Sequence, residues 1–336
     1  MNQSVMSCKY CNSQDIIKFG TYNGVQYYLC KDCKHKFTEQ DSLPKMKTPI
    51  NEIASALNMY YGGSPIDAIQ NNLEQQYGNH LTEAGIYKWI VRFTKEAIMK
   101  ARDFKPEVGN IWLADETGLN VGNRNVWFWD IIDAKSRYLL ASHISVLRKT
   151  DDAQILIEKA IRRAGKMPEV VITDKLRAYI DGIDLATGGR AAHIRSKPFT
   201  DENSTNIIER FHGTLKQRTE VIHHFKDLET ARLLTEGWLI HYNFFKDHES
   251  LGNVSPVEHM KSDMPFHNWD DIVRYSNVAE PAIYVPAPIR PIHRPHTLKQ
   301  KRSAYYRKAM RKSRAKKKPI EPIHPQLSIV RQRKLY

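Results

Sequence analysis

Three acidic residues are the chemically informative groups of this 336-residue chain: Asp115 ends the run IWLAD, Asp174 ends VVITD, and Glu209 lies in NIIERFHGTLKQR. The first two runs are short, apolar and rich in Ile and Val, which reads as buried strands with a carboxylate at each C-terminal lip. The third reads as a helix. Carboxylates at two strand ends and on a packed helix suit two divalent ions roughly 3.5–4 Å apart, one activating a hydroxyl nucleophile and one stabilising the leaving oxygen in phosphodiester chemistry. Glu209, His212, Gly213 and Lys216 share one helical stripe by their spacing. An acid, a histidine, a gap and a cation two turns on form a face suited to a phosphate chain. Each acid alone has a plainer reading, because an Asp after a strand often caps the next helix and a helical Glu is usually a solvated charge.

Positioning these groups requires strands at 110–115, 126–133 and 137–146 in an antiparallel run, with Asp133 to Ser136 as the second turn. A helix from Asp151 to Ala164 follows, then a strand from Glu169 to Thr173, a helix from Lys175, a short strand at Ala192 to Arg195 and the Glu209 helix. This order predicts an α/β core, a mixed sheet with helices on both faces. It sets the C-terminal end of the first strand beside the fourth, where Asp115 and Asp174 meet. Glu116 points away from Asp115 if the strand continues. Asp130, Asp133, Asp181, Asp201 and Glu202 read as turn or loop acids. Lys175 and Arg177 suit DNA-backbone contact or simple solvation, and Trp127 and Trp129 read as sheet burial more readily than as base-stacking platforms.

All four cysteines fall in two CxxC pairs, Cys8 with Cys11 and Cys30 with Cys33. The spacing matches tetrahedral thiolate coordination of one structural Zn2+, and the Tyr, Val and Ile content between the pairs predicts short strands around an Asn23-Gly24 turn. Residues 1–40 therefore read as a zinc ribbon, which a core this small needs a metal to order. From 48 to 104 the pattern turns helical, with segments at Pro49 to Tyr61, Pro65 to Tyr77 and Thr82 to Phe104, and with Thr48, Ser64 and Thr82 as N-caps. Ile86, Trp89, Ile90 and Phe93 form the inward stripe of the third helix. Either a DNA-binding unit or a helical spacer fits this pattern.

The order Asp115, Asp174, Glu209, with 34 residues between the last two and Lys216 seven after the Glu, resembles the DDE transposases of bacterial and archaeal insertion sequences. The similarity extends through WLADETGLNVGNRNVWFWDIIDAKSRYLLASHIS and HYNFFKDHESLGNVSPVEH, about Val108 to His259. It implies an RNase H-like catalytic core of the retroviral-integrase type at 107–262, holding two Mg2+ or Mn2+ on Asp115, Asp174 and Glu209. It implies a helix-turn-helix at 48–104 whose third helix presents Thr82, Tyr87, Lys88 and Arg92 to the major groove. Lys216, Arg210 and His212 would lie along the terminal phosphates. The implied activity is nicking of 3′ ends at terminal inverted repeats and joining them to target DNA, by a homo-oligomer on double-stranded DNA. Two other readings keep the fold: a domesticated DNA-binding regulator, and an RNase H-like structure-specific nuclease.

Composition agrees. A formal net charge of +14 fits a polyanionic partner rather than a small-molecule substrate. No run of eighteen apolar residues and no secretory leader is present, so the expected location is the cytosol of a prokaryote, on the nucleoid, away from any membrane. Residues 263–336 read as a Pro-rich linker and a basic tail, with eleven Lys or Arg and no acid between 299 and 319. A run of that kind repels itself and binds phosphates.

Overall fold

The computed structural model describes residues 6–22, 24–122, 124–195, 206–221 and 225–276. The chain divides into two units, Met1–Tyr284 and Val285–Tyr336, and every described residue belongs to the first. The basic run, and with it Asp201 and Glu202, lies outside the described residues.

The N-terminal segment is a small antiparallel sheet of β1 (Ile16–Tyr22), β2 (Val25–Cys30) and β3 (Lys36–Thr38), in that order. Its apolar centre is Cys8, Cys30 and Phe37. Gly24 has φ of +77°, the left-handed conformation that a tight hairpin turn demands. The third strand is too short to have carried a sequence signal.

Three helices follow: α1 (Ile50–Gly62), α2 (Ile66–Tyr77) and α3 (Glu83–Lys100). Thr82 caps α3 as its type suggests, accepting from the Gly85 N–H at 3.2 Å. Thr48 and Ser64 do not cap their helices. Pro49 and Pro65 occupy the N-cap positions with no side-chain bond, and proline fits there because it has no N–H to satisfy and a fixed φ. Left-handed glycines, Gly63 and Gly78, close α1 and α2.

The remaining sheet contains β4 (Ile111–Val121), β5 (Arg124–Asp133), β6 (Leu139–Ser145), β7 (Val170–Thr173) and β8 (Ala192–Arg195), ordered β6-β5-β4-β7-β8. The first three pair antiparallel and β4-β7-β8 pair parallel, the RNase H-like layout expected. Asp133 holds the β5–β6 turn by accepting from the N–H and hydroxyl of Ser136, each at 2.7 Å. The first strand does not stop at Asp115. Pairing with β5 carries it on to Val121, opposite Arg124, whereas pairing with β7 ends at Ala114 opposite Thr173.

Alternation along β5 sends neighbouring aromatics to opposite faces. Trp129 meets Tyr179 of α5 (Arg177–Thr187), beside which lies α4 (Thr150–Ala164). Phe128 faces Phe211 of α6 (Asn206–Val221), and Phe211 in turn packs on Trp238 of α7 (Leu228–Ile240). A π-helical turn at His241–Phe245 continues α7, followed by α8 (Pro256–His259) and α9 (Trp269–Arg274). Residues beyond 262, expected as linker, thus include a helix with Trp269, Ile272 and Val273 buried. Tyr61 of α1 stacks on Trp269 with ring centroids 5.0 Å apart. One continuous apolar core runs from Leu43 through the three helices and the sheet to Val273.

Candidate active site

Asp115 and Asp174 are neighbours because the parallel ladder ends at Ala114 and Thr173, and each acid is the next residue along the chain. One carboxylate oxygen from each, together with one from Glu116, lies within 4.8 Å of the others. Asp174 does not cap α5, whose N-cap is Leu176 with no side-chain bond; its Oδ1 accepts instead from the Leu176 N–H at 2.7 Å. The Asp115 and Glu116 side chains are only 17% and 3% exposed. Burial pushes Asp115 up to about 7; the charges of Asp130 and Glu116 add to this and His212 opposes it. Burial and then the charge of Asp174 also raise Glu116, against the pull of Arg148. Crowded, desolvated oxygen donors of one sign are a fitting seat for a hard divalent cation such as Mg2+ or Mn2+.

Glu209 is half-buried on α6, one turn before His212, and is not part of the trio that includes Glu116. The α6 helix lies against β4. Its inward face is Ile208, Phe211, His212 and Leu215, so the stripe read from spacing is split by burial. Gly213, Arg210 and Lys216 are exposed. His212, expected along DNA, turns into the sheet instead. Its Nε2 lies 2.6 Å from Asp130 Oδ1 and its Nδ1 lies 3.4 Å from Asp115 Oδ2. Burial disfavours the imidazolium, but the Asp130 and Asp115 carboxylates outweigh it and raise the His212 pKa above its ordinary value.

Two acids set aside on sequence grounds lie beside Asp115 in the structure. Asp130 is not in a loop: it is fully buried in β5, directly opposite Asp115. A charge inside the apolar run WFWDIID was the available signal, since a buried carboxylate needs a partner. Glu116 leaves β4 on the other face from Asp115 but reaches the same strand-end cluster. Arg148, between β6 and α4, ion-pairs with Glu116 and lies over the Trp127 ring, 4.2 Å from its centre. Trp129 is buried as expected, donating from Nε1 to Ser145 at 2.8 Å. Lys175 and Arg177 are exposed beside Asp174.

On α3, Ile86, Ile90 and Phe93 are buried and Trp89 is half-buried. Thr82 and Lys88 are exposed. Tyr87 packs against the apolar core, and Arg92 points its Nη1 at Met46 Sδ, 3.4 Å away, with its guanidinium 5.1 Å from the Phe93 ring centre. Both are thus engaged within the fold, because the helix carries its partly buried flank further round than the four-residue stripe suggested. In the ribbon, Cys8 and Cys33 sulfurs are 3.5 Å apart and those of Cys11 and Cys30 are 3.6 Å apart, with one sulfur from each of the four within 4.8 Å of the others. The backbone N–H of Cys33 leads in lowering the Cys30 thiol to about 7, toward the thiolate that binds metal.

A mixed sheet in this strand order, with half-buried carboxylates at the lip where its parallel ladder ends, suits divalent-metal chemistry on phosphodiesters. Residues 109–248 match the DDE domain model of IS240-type transposases, and this part of the chain is a DDE transposase catalytic domain. No curated protein matches the chain. Among solved structures, the HTLV-2 integrase catalytic core in complex with magnesium is similar at 15% identity, covering 46% of this chain and 99% of that one with a TM-score of 0.36. The simian T-cell lymphotropic virus intasome in complex with PP2A regulatory subunit B56 gamma is similar at 16% identity, 62% and 75% coverage and a TM-score of 0.38. The BIV integrase catalytic core is similar at 17% identity, 44% and 91% coverage and a TM-score of 0.36. No helix among the described residues is long and apolar enough to cross a membrane.

Proposed function

We propose that this protein is the transposase of an insertion sequence, nicking the 3′ ends of its element and joining them to target DNA. The observation that carries the reading is the side-by-side placement of Asp115 and Asp174 where the β4–β7 ladder ends, inside a segment matching the DDE domain. Asp115, Asp174 and Glu209 would hold the divalent ions. When bound, those ions supply Lewis acidity for in-line displacement at phosphorus. The chain's own residues do the rest. His212 braces Asp115 from the sheet side, and the exposed Arg210 and Lys216 meet the phosphates next to the scissile bond. Lys175 and Arg177 extend that basic border beyond Asp174. Residues 1–40, ordered by zinc on the four cysteines, and the helices of 48–104, with Thr82 and Lys88 outward, read the terminal repeats. The protein acts as a multimer on double-stranded DNA in the prokaryotic cytosol.

The test uses purified full-length protein and oligonucleotides carrying the element's own terminal repeats, with Mg2+. Wild type should nick and join them, whereas Asp115→Asn, Asp174→Asn and Glu209→Gln should each abolish both steps and leave end binding intact. Near wild-type joining by any of the three would remove that residue from the site, and an inactive wild type that still bound the ends would favour a regulator.

A further inference from the structure

Successive side chains of a strand leave on opposite faces, so Asp115 and Glu116 should serve different surroundings. They do at their bases: Asp115 faces His212 and Asp130, and Glu116 pairs across the ladder with Trp129 on the α5 side. At their tips they converge. A Glu116 oxygen comes within 4.8 Å of an oxygen of Asp115 and of one of Asp174, which lies past the last rung of the parallel ladder. The Glu116 side chain is 97% buried, from its 3% exposure, and its two oxygens are treated differently. Oε1 is ion-paired to Arg148. Among the described residues Oε2 forms no hydrogen bond of ordinary geometry, although the buried Tyr179 hydroxyl acts on the same carboxylate and helps to hold its charge. A desolvated carboxylate oxygen this weakly satisfied is costly, and a cation shared with Asp115 and Asp174 would relieve it.

Resting on the reading that Asp115 and Asp174 hold divalent ions, we propose that Glu116 is a further carboxylate ligand of that centre and that Arg148 competes with the metal for it. Arg148 is suited to a releasable role. Its side chain is 34% exposed, it sits between β6 and α4, and the Trp127 ring gives its guanidinium a second seat when the carboxylate is taken. A purely structural Glu116–Arg148 strut would leave metal affinity indifferent to either side chain.

The experiment titrates Mn2+ into the zinc-loaded full-length protein, without DNA, by calorimetry and by the electron paramagnetic resonance of free Mn2+. Glu116→Gln should weaken binding by about tenfold or more, the scale on which groups around a metal act. Arg148→Ala should tighten it, and that gain should vanish in the Glu116→Gln background. Unchanged affinity in both single variants, with Asp115→Asn abolishing binding, would overturn the proposal while leaving the metal centre standing. If wild type bound no Mn2+ the centre itself would fall and the proposal with it. Should Glu116→Gln fail to fold, Arg148→Ala alone decides: tighter binding supports the competition and unchanged binding overturns it.

Discussion

The His212 imidazole donates from Nε2 to the fully buried Asp130 at 2.6 Å, and so spans the sheet from α6 to β5. Asp130 and Asp115 are register partners in the β4–β5 ladder, so the same ring reaches the candidate ligand Asp115 from Nδ1. A carboxylate that orients a histidine, which in turn orients a metal-binding acid, is a second layer of positioning. It explains a charge in the middle of an apolar strand.

Asp130→Asn should therefore lower both Mg2+ affinity and strand joining by about 10–100-fold, the range for such outer partners, with end binding preserved. Parallel metal titration and joining assays check this. Full activity in the variant would mean that packing alone holds His212.

Asp115→Asn should be inactive yet more heat-stable than wild type in EDTA at pH 8. The wild-type carboxyl has its folded pKa raised from 3.8 to about 7. Its contribution to stability is thus fully present below about 4 and is lost as pH rises through 7. The variant lacks that loss, so its advantage should grow between pH 5 and 7 and level off above, by at most a few kcal/mol given about 1.4 kcal/mol per pKa unit. Thermal melts across that range decide it, and a variant advantage that shrank with rising pH would contradict the burial argument.

One zinc per chain should be found by elemental analysis of freshly purified protein, and Cys30→Ser should lose it. Among the described residues the buried centre of this segment is Cys8, Cys30 and Phe37, too little to fold without metal worth on the order of 10 kcal/mol. Specific end recognition should fall while the core's melting transition stays. Zinc-free protein with reduced thiols that bound its ends normally would count against the site.

Gly237→Ala should destabilise the protein by about 1–3 kcal/mol, as overpacking does. A Cβ on this α7 glycine would run into the Tyr61 hydroxyl of α1 and would meet Thr94 Cγ2 of α3 at 2.6 Å and Tyr61 Cζ at 2.7 Å. Chemical denaturation measures the loss. Because the Tyr61 hydroxyl is the nearest of these atoms, Tyr61→Phe in the same background should recover part of the loss, and the remaining ring and Thr94 contacts should keep it from recovering all.

Much of the core was legible because its signals are local. The runs around 111–115 and 170–173 are apolar and β-branched, Asp133 to Ser136 has turn chemistry, and Ala192–Arg195 matches its expected strand. The cysteine spacing likewise speaks for itself. Less legible were the caps of α1 and α2, where proline displaced Thr48 and Ser64, and the length of β4, which depends on how far a partner strand extends rather than on where its apolar run ends. The neighbour of Arg92 was illegible for a related reason: Met46, which its guanidinium touches, is 46 residues away in the chain.

The order and identity of Asp115, Asp174 and the α6 face were determined by the sequence itself, because strand and helix periods decide which residues of one element share a face or a stripe. Which side chains share one volume was decided only by tertiary structure. Glu116 belongs with Asp115 and Asp174 although strand alternation separates it from Asp115, and His212 faces Asp130 although helix spacing aligned it with Lys216. The physical reason is that periodicity constrains direction along one element. The distance between two charges, their burial and the partner each must find depend on how separate elements stack, here β4 against β7 and α6 against β4.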